Sequence, residues 1–238
     1  MKDCVAHNIA LKDEKASVLA QDCIMCGHCV AVRPKEAVAI SGYESEPVSS
    51  RESLRLNPED VLDVIRFRRT IRQFQDRKIP EEVLSQILEA GRMTHTAKNM
   101  QDVSFIVLDR EKARIERMAV QLFRRIKPLA GVFSALARRN QIDDHFFFFH
   151  APLVIVIAAK TPIDGALAAQ NMEFVAEANG LGVLFSGFFT TAARASRRIK
   201  KALGLPKGKK VITTLVLGYP KVHYKRSVQR EALDVRYL

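Results

Sequence analysis

Arg66-Phe67-Arg68-Arg69-Thr70-Ile71-Arg72-Gln73-Phe74 is the stretch on which the reading of this chain turns. It sets two guanidiniums and a hydroxyl side by side and adds another Arg two positions on. Guanidinium forks match phosphate oxygens in pairs, and a Thr hydroxyl supplies a further donor. Alone, such a cluster is most often solvated surface, so its neighbours decide.

Upstream, Asn57 is placed to cap a helix, with Pro58 at the first helical position and Glu59 and Asp60 in the first turn. Val61, Leu62 and Ile65 give that helix an apolar stripe. Downstream, residues 80–90 form a helix with Val83, Leu84, Ile87 and Leu88 inward and Gly91 as its stop. Residues 103–108 form a strand. Residues 112–139 are helical, interrupted at Pro128 and at Gly131. Residues 153–159 are a buried strand, 164–179 a helix closed by Gly180, 191–203 a helix closed by Gly204, and 211–217 the last clear strand. Several helices around a small sheet make an α+β arrangement. Phe146 to Phe149 are expected in core and interface packing.

In order along the chain come Arg-Arg-Thr-x-Arg-x-Phe (68–74), Ile79-Pro80-Glu-Glu-x-Leu84-x-x-Ile87-Leu88-Glu-Ala90, Ala97-Lys-Asn99-Met-Gln101 and Phe105-Ile-Val. Asn171-Met-Glu-Phe-Val-Ala-Glu-Ala-Asn-Gly180-Leu-Gly182-Val-Leu-Phe-Ser-Gly187, then Leu203-Gly204-Leu-Pro206 and Leu217-Gly218-Tyr219-Pro220, complete the series. This series resembles the FMN-dependent nitroreductase family over residues 58–238. The resemblance implies an α+β fold of nitroreductase-like helices around a small mixed sheet, an FMN at a homodimer seam, and reduction of a small organic acceptor such as a nitroaromatic or quinone. It implies that Arg68, Arg69 and Thr70 hold the FMN phosphate and its neighbourhood, and that Arg72 lies by the N1 edge of the ring. Asn99, with Gln101 beside it, would bond the ring edge. Leu184, Phe185, Ser186 and Gly187 would form a loop along the ring, and Arg230 and Arg226 would close on the phosphate. No acid–base pair or nucleophile stands out as catalytic, as expected where the cofactor does the chemistry. Asp102-Val103 stands where the family often has Pro-Trp, on the side that shapes substrate choice.

All four cysteines lie in residues 1–42, which a polar stretch, 43–57, joins to residues 58–238. Cys23-Ile-Met-Cys26-Gly-His-Cys29 has the C-x2-C-x2-C spacing of a bacterial ferredoxin, in which x3-C-P follows; here that place reads Arg33-Pro34. In two-cluster ferredoxins the fourth cysteine of each run ligates the other cluster. Cys4, 19 residues before Cys23, falls where the tail of an earlier run would end, and residues 9–13 and 17–20 fit a hairpin between the runs. Cys4, Cys23, Cys26 and Cys29 can therefore close one [4Fe–4S] cluster in a reduced ferredoxin-like module. Zinc, which usually takes two separated pairs, fits this spacing less well, as do chemically idle cysteines. So short a module would also lack a sufficient core without a metal.

The chain has 238 residues, 47% hydrophobic and 27% charged, with a net charge of +12. Residues 1–60 hold 7 basic and 10 acidic side chains, residues 61–238 hold 31 and 16. The basic excess suits anionic small ligands or an acidic protein partner. With no nucleic-acid motif, no basic-aromatic clustering and no Trp, nucleic acid is not an expected partner. No apolar run reaches transmembrane length and Met-Lys-Asp-Cys opens no signal peptide, so the expected place is the cytoplasm, off the membrane. There, thiols stay reduced and favour metal over disulfides. NAD(P)H or a redox protein is the expected electron donor. A redox sensor or electron carrier acting mainly on a protein partner is the alternative.

Overall fold

The computed structural model describes residues 3–13, 15–19, 22–32, 38–43, 46–50, 55–133 and 138–238. Arg33 and Pro34, the place of the missing cysteine, lie outside these described residues. The chain divides into two units: Met1–Leu56 with His95–Gln101, and Asn57–Thr94 with Asp102–Leu238.

In the first unit β1 (Ile9–Lys12) pairs antiparallel with β2 (Lys15–Val18), Ile9 opposite Val18. The hairpin lies in the stretch where the sequence puts one. A one-turn helix, α1 (His28–Ala31), follows the left-handed Gly27. A single 3-10 turn, Ala97–Asn99, comes from the second stretch of chain. Among the described residues of this unit no hydrophobic side chain is buried; Asn8 alone is. Val5, Leu11, Val18, Leu19 and Val48 are exposed. Apolar burial therefore contributes little to holding this unit together.

The second unit opens with α2 (Pro58–Phe67), whose Asn57 cap accepts the Glu59 N–H at 3.1 Å. Then come α3 (Glu81–Arg92), β3 (Ser104–Leu108), α4 (Lys112–Phe133), β4 (Leu153–Ala159), α5 (Pro162–Ala178), β5 (Gly182–Phe185), α6 (Gly187–Ala195), α7 (Arg197–Ala202) and β6 (Lys210–Gly218). The sheet order is β3-β4-β6-β5. All three pairings are antiparallel; the resemblance implies a mixed sheet, and among the described strands none has a parallel neighbour.

Alternation along the central strands feeds two cores. Val154 and Val156 of β4 face Ile115, Ala119 and Val120 of α4, Phe189 of α6 and Ile199 of α7. Leu153, Ile155 and Ile157 face Ile87 of α3 and Ala169, Met172 and Ala176 of α5. The sheet is thus covered on both faces, which is why β4 reads as an unbroken apolar run.

Four details differ from the sequence expectation. Gly91 lies inside α3: a Cβ there would stand 2.6 Å from Phe105 Cζ, so the glycine serves packing, not termination. Helix α4 runs through Pro128 to Phe133 without a break there. The helix expected over 191–203 starts earlier and is two helices, divided at Ser196, whose hydroxyl accepts the Ile199 N–H at 3.2 Å. Leu184 and Phe185, expected in a loop, end strand β5.

Candidate functional site

The Arg-rich stretch is laid against the end of the sheet by backbone bonds. Ile71 N–H donates to the Val183 carbonyl (3.1 Å), Gln75 N–H to Tyr219 (2.8 Å), and Lys221 N–H back to Gln73 (2.9 Å). Ile71 and Phe74 are buried. Two glycines make the approach possible. Gly182 of β5 and Gly218 of β6 stand opposite each other in register. A Cβ on Gly182 would collide with Ile71, and one on Gly218 would stand 2.6 Å from Pro152 Cδ and 2.8 Å from Phe74 Cδ1. Only bare backbone lets residues 71–74 lie this close. The Arg77 guanidinium lies 3.9 Å above the Tyr219 ring and ties the far end down.

Arg68, at the C-terminal cap of α2, turns the chain from helix to extended backbone. Its Nη1 donates to Glu173 Oε1 at 2.7 Å, and Gln170 Nε2 donates to Glu173 Oε2 at 2.7 Å. Burial pushes the Glu173 carboxyl above its ordinary range, and the Arg68 guanidinium and the Gln170 amide pull it back. Glu177, one turn on, is pushed up to about 7 by burial and by the Glu173 charge, against the pull of Arg68. Arg69 donates from Nη1 to the Arg68 carbonyl. Its Nε is buried and has no hydrogen-bond partner among the described residues. Thr70 is half-buried and Arg72 exposed. Glu173 and Glu177 were not singled out by sequence, although two acids four apart in an apolar helix were visible there.

Ser186 is fixed from three sides. Its N–H donates to Thr214 O (2.8 Å), its hydroxyl to Phe147 O (3.1 Å), and its carbonyl accepts from Thr190. Leu184 is core. Phe185 is exposed, and a Cβ on Gly187 would meet nothing within 4 Å, so both face open space. Phe147 and Phe148, behind Ser186, are fully buried, and their N–H groups donate to Glu116 Oε1 at 3.2 and 2.7 Å. Burial pushes Glu116 up to about 7 against these bonds. Arg226 and Arg230 lie exposed in a tail without regular structure.

In the other unit the four cysteines are free thiols. Cys4 Sγ accepts the Asn8 N–H at 3.3 Å and Cys23 Sγ the Met25 N–H at 3.4 Å. Among the described residues no three His, Cys, Asp or Glu side chains are gathered as a metal site. Asn99 and Gln101 belong to this unit. The Asn99 amide donates to Met25 O (2.7 Å) and Ile24 O (3.2 Å), and the Gln101 amide to Tyr43 Oη (2.9 Å).

The nitroreductase family matches residues 65–219 of this chain, from the Arg-rich stretch to the end of the sheet. The chain belongs to the nitroreductase family. Among sequence relatives, a putative NADH dehydrogenase/NAD(P)H nitroreductase of Methanothermobacter thermautotrophicus is 25% identical over 70% of this chain and 80% of its own length. An NADPH-dependent oxidoreductase of Staphylococcus haemolyticus is 25% identical over 67% and 64%. Among solved structures, a nitroreductase with bound FMN from Desulfitobacterium hafniense covers 77% of this chain and 100% of its own, with a TM-score of 0.62 and 21% identity. One from Bacteroides fragilis, also with bound FMN, covers 75% and 99% with a TM-score of 0.58 and 22% identity. These structures share the nitroreductase fold with this chain over about three quarters of its length.

Where the family often has Pro-Trp, Asp102 is buried and accepts the Lys160 N–H at 3.0 Å through Oδ2. The departure therefore braces the end of β4. No helix among the described residues is long and apolar enough to cross a membrane.

Proposed function

We propose that this nitroreductase-family chain is an FMN-dependent oxidoreductase that reduces a small organic acceptor, nitroaromatic or quinone-like, taking electrons from NAD(P)H or a redox protein with a relay through one [4Fe–4S] cluster. The observation that carries the FMN reading is Arg69 Nε, a cationic donor buried without a partner among the described residues. A buried donor of that kind is costly unless a ligand supplies the acceptor, and a phosphate oxygen is a suitable one. The family and its FMN-bound members give the same direction.

FMN, when bound, supplies chemistry that proceeds by one electron or two. The chain's part is to hold and bias it. Arg69, with Arg68, Thr70, Arg226 and Arg230, would bind the phosphate. Arg72 would place a cation where the reduced ring carries charge, which favours that state. Phe185 and Gly187, facing open space beside the anchored Ser186, would line the ring. Exposed Leu62, Val64, Ile65 and Phe67 on α2, a helix with no buried residue, support a second copy of the chain as the cover, hence a homodimer.

The cluster reading rests on the first unit. It has four free thiols, two of them already accepting backbone N–H, and no buried hydrophobic side chain among its described residues. A unit so poor in core would gain from a metal staple, and its cysteines, no three of which stand together among the described residues, would have to gather as it loads, because metal loading and folding are coupled. The cluster, when bound, supplies a one-electron carrier; Cys4, Cys23, Cys26 and Cys29 would hold it.

The test is anaerobic purification with FMN, iron and sulfide quantified per chain, followed by turnover of a nitroaromatic and a quinone with NADPH. About one FMN and four irons per chain are expected from the ligand count. Protein that takes up no FMN on reconstitution overturns the flavin reading; protein that takes up FMN but no iron and sulfide overturns the cluster reading alone.

A further inference from the structure

We infer that Glu116 is a positioning residue for the flavin, acting through the Phe147–Phe148 peptide on Ser186 at the head of α6. The inference rests on the flavin reading above.

Glu116 lies on α4 and is 4% exposed. A carboxyl so deep in a core costs stability unless its oxygens are used. Oε1 accepts two backbone N–H groups, from Phe147 at 3.2 Å and from Phe148 at 2.7 Å, and Oε2 lies 3.5 Å from His145 Nδ1. One turn earlier on the same helix, Lys112 Nζ donates to the Ala151 and Pro152 carbonyls at 2.5 and 3.1 Å. The acid thus takes the start of the 147–152 segment by its donors, and the base takes its end by its acceptors. Between them Phe149 and His150 are left-handed, φ 51° and 59°. Two such residues in succession, neither a glycine, persist where their surroundings hold them.

The clamp sets the direction of one carbonyl. The Phe148 N–H on Glu116 and the Phe147 carbonyl are the two ends of a single planar peptide, so fixing one end aims the other. That carbonyl accepts the Ser186 hydroxyl at 3.1 Å. The rest of Ser186 is held by its own sheet and helix: its N–H donates to Thr214 O, and its carbonyl accepts from Thr190. The hydroxyl is therefore where residues 147–148 reach the head of α6 by hydrogen bond. Their rings add a second contact, since Phe147 and Phe148 lie 6.0 and 4.7 Å from the Phe189 ring of α6. Gly187, proposed above to line the flavin ring, is the next residue in the chain.

The test uses the full chain with Glu116→Gln and Glu116→Leu, each alone and combined with Ser186→Ala. Glutamine keeps an oxygen for the two N–H groups; leucine offers none. Amide hydrogen exchange is read first, in FMN-free protein. Glu116→Leu is expected to speed exchange at 186–190 and to leave α3 and α5, which pack in the other core, as they are. Flavin fluorescence titrations follow, with FMN and with riboflavin. Glu116→Leu should weaken both by the same factor, roughly ten-fold, because the ring and not the phosphate is affected, and Glu116→Gln should restore most of that affinity. Ser186→Ala alone should weaken both flavins too, and in its background the further effect of Glu116→Leu should shrink, which a general loss of stability would not produce. Unaltered exchange at 186–190, a leucine effect that is the same with and without the Ser186 hydroxyl, or a Ser186→Ala protein with wild-type flavin affinity each overturns the role of Glu116 and leaves the flavin reading standing. The last of these is read even where the leucine variant fails to fold. A wild type that binds neither flavin overturns the flavin reading itself, whatever the exchange shows.

Discussion

Arg68 Nη1 lies 2.7 Å from Glu173 Oε1, and of the two side chains only the arginine, 29% exposed, still reaches water. The two are 105 positions apart in sequence and join the exit of α2 to the middle of α5. The pair is therefore asymmetric: removing the acid leaves a cation that can rehydrate, while removing the cation leaves a wholly buried carboxylate.

That asymmetry predicts which half of the pair matters more. In FMN-free protein, Arg68→Met is expected to lower stability by about 3 kcal/mol at pH 8, and Glu173→Gln by about 1. The stranded Glu173 can take a proton as pH falls, so the Arg68→Met deficit shrinks towards pH 5. Urea midpoints at the two pH values check both statements. Equal losses in the two variants would contradict the asymmetry.

Glu177 gives a pH dependence with a definite sign. Its folded pKa, about 7, lies above the ordinary 4.5, so the fold retains a proton that the unfolded chain releases. The stabilisation is complete below about 4.5 and is lost as pH rises through about 7. Glu177→Gln is expected to flatten the fall in urea midpoint between pH 5 and pH 8. Because Glu116 is raised to about 7 as well, part of the slope survives in that variant.

How far the sequence reaches can be argued from single elements. The bounds of β4 were legible because seven apolar residues buried on both faces leave no other reading. The cap at Asn57 was legible because capping is local. Strand β5 was not: it is four residues long, and its glycine looks like a loop until Ile71 is seen filling the space. The Arg cluster was visible, but its buried partner Glu173 was not, since only the fold brings the two together. Asn99 could be read only as a motif position, because the carbonyls it serves lie 74 and 75 residues away.

The facing glycines Gly182 and Gly218 hold the register between sheet and Arg-rich stretch. Gly218→Ala would push a methyl against Pro152 and Phe74, ring side chains that cannot swing aside. A loss of about 1–3 kcal/mol is expected from such overpacking. Phe74 moves with residues 71–73, so FMN affinity should fall with stability. In FMN-free protein Gly187→Ala, whose Cβ meets nothing within 4 Å, controls for added volume; with FMN it is no control, because Gly187 would line the ring. Thermal melts with and without FMN separate the two effects.

Arg69 carries the sharpest test of the flavin reading, because its Nε is buried without a partner among the described residues. If a phosphate completes it, the wild type must prefer FMN to riboflavin, which has the ring and lacks the phosphate. Arg69→Ala removes that cation and leaves Ser186, Gly187 and the sheet untouched. A charge-assisted bond of this kind is worth about 1.5–3 kcal/mol, so FMN affinity should drop roughly ten- to over a hundred-fold. Riboflavin affinity should change far less, because the deleted group faces nothing in that ligand. Flavin fluorescence titrations of both ligands against both proteins measure the four affinities. An equal drop for FMN and riboflavin would mean that Arg69 supports the fold and not the phosphate.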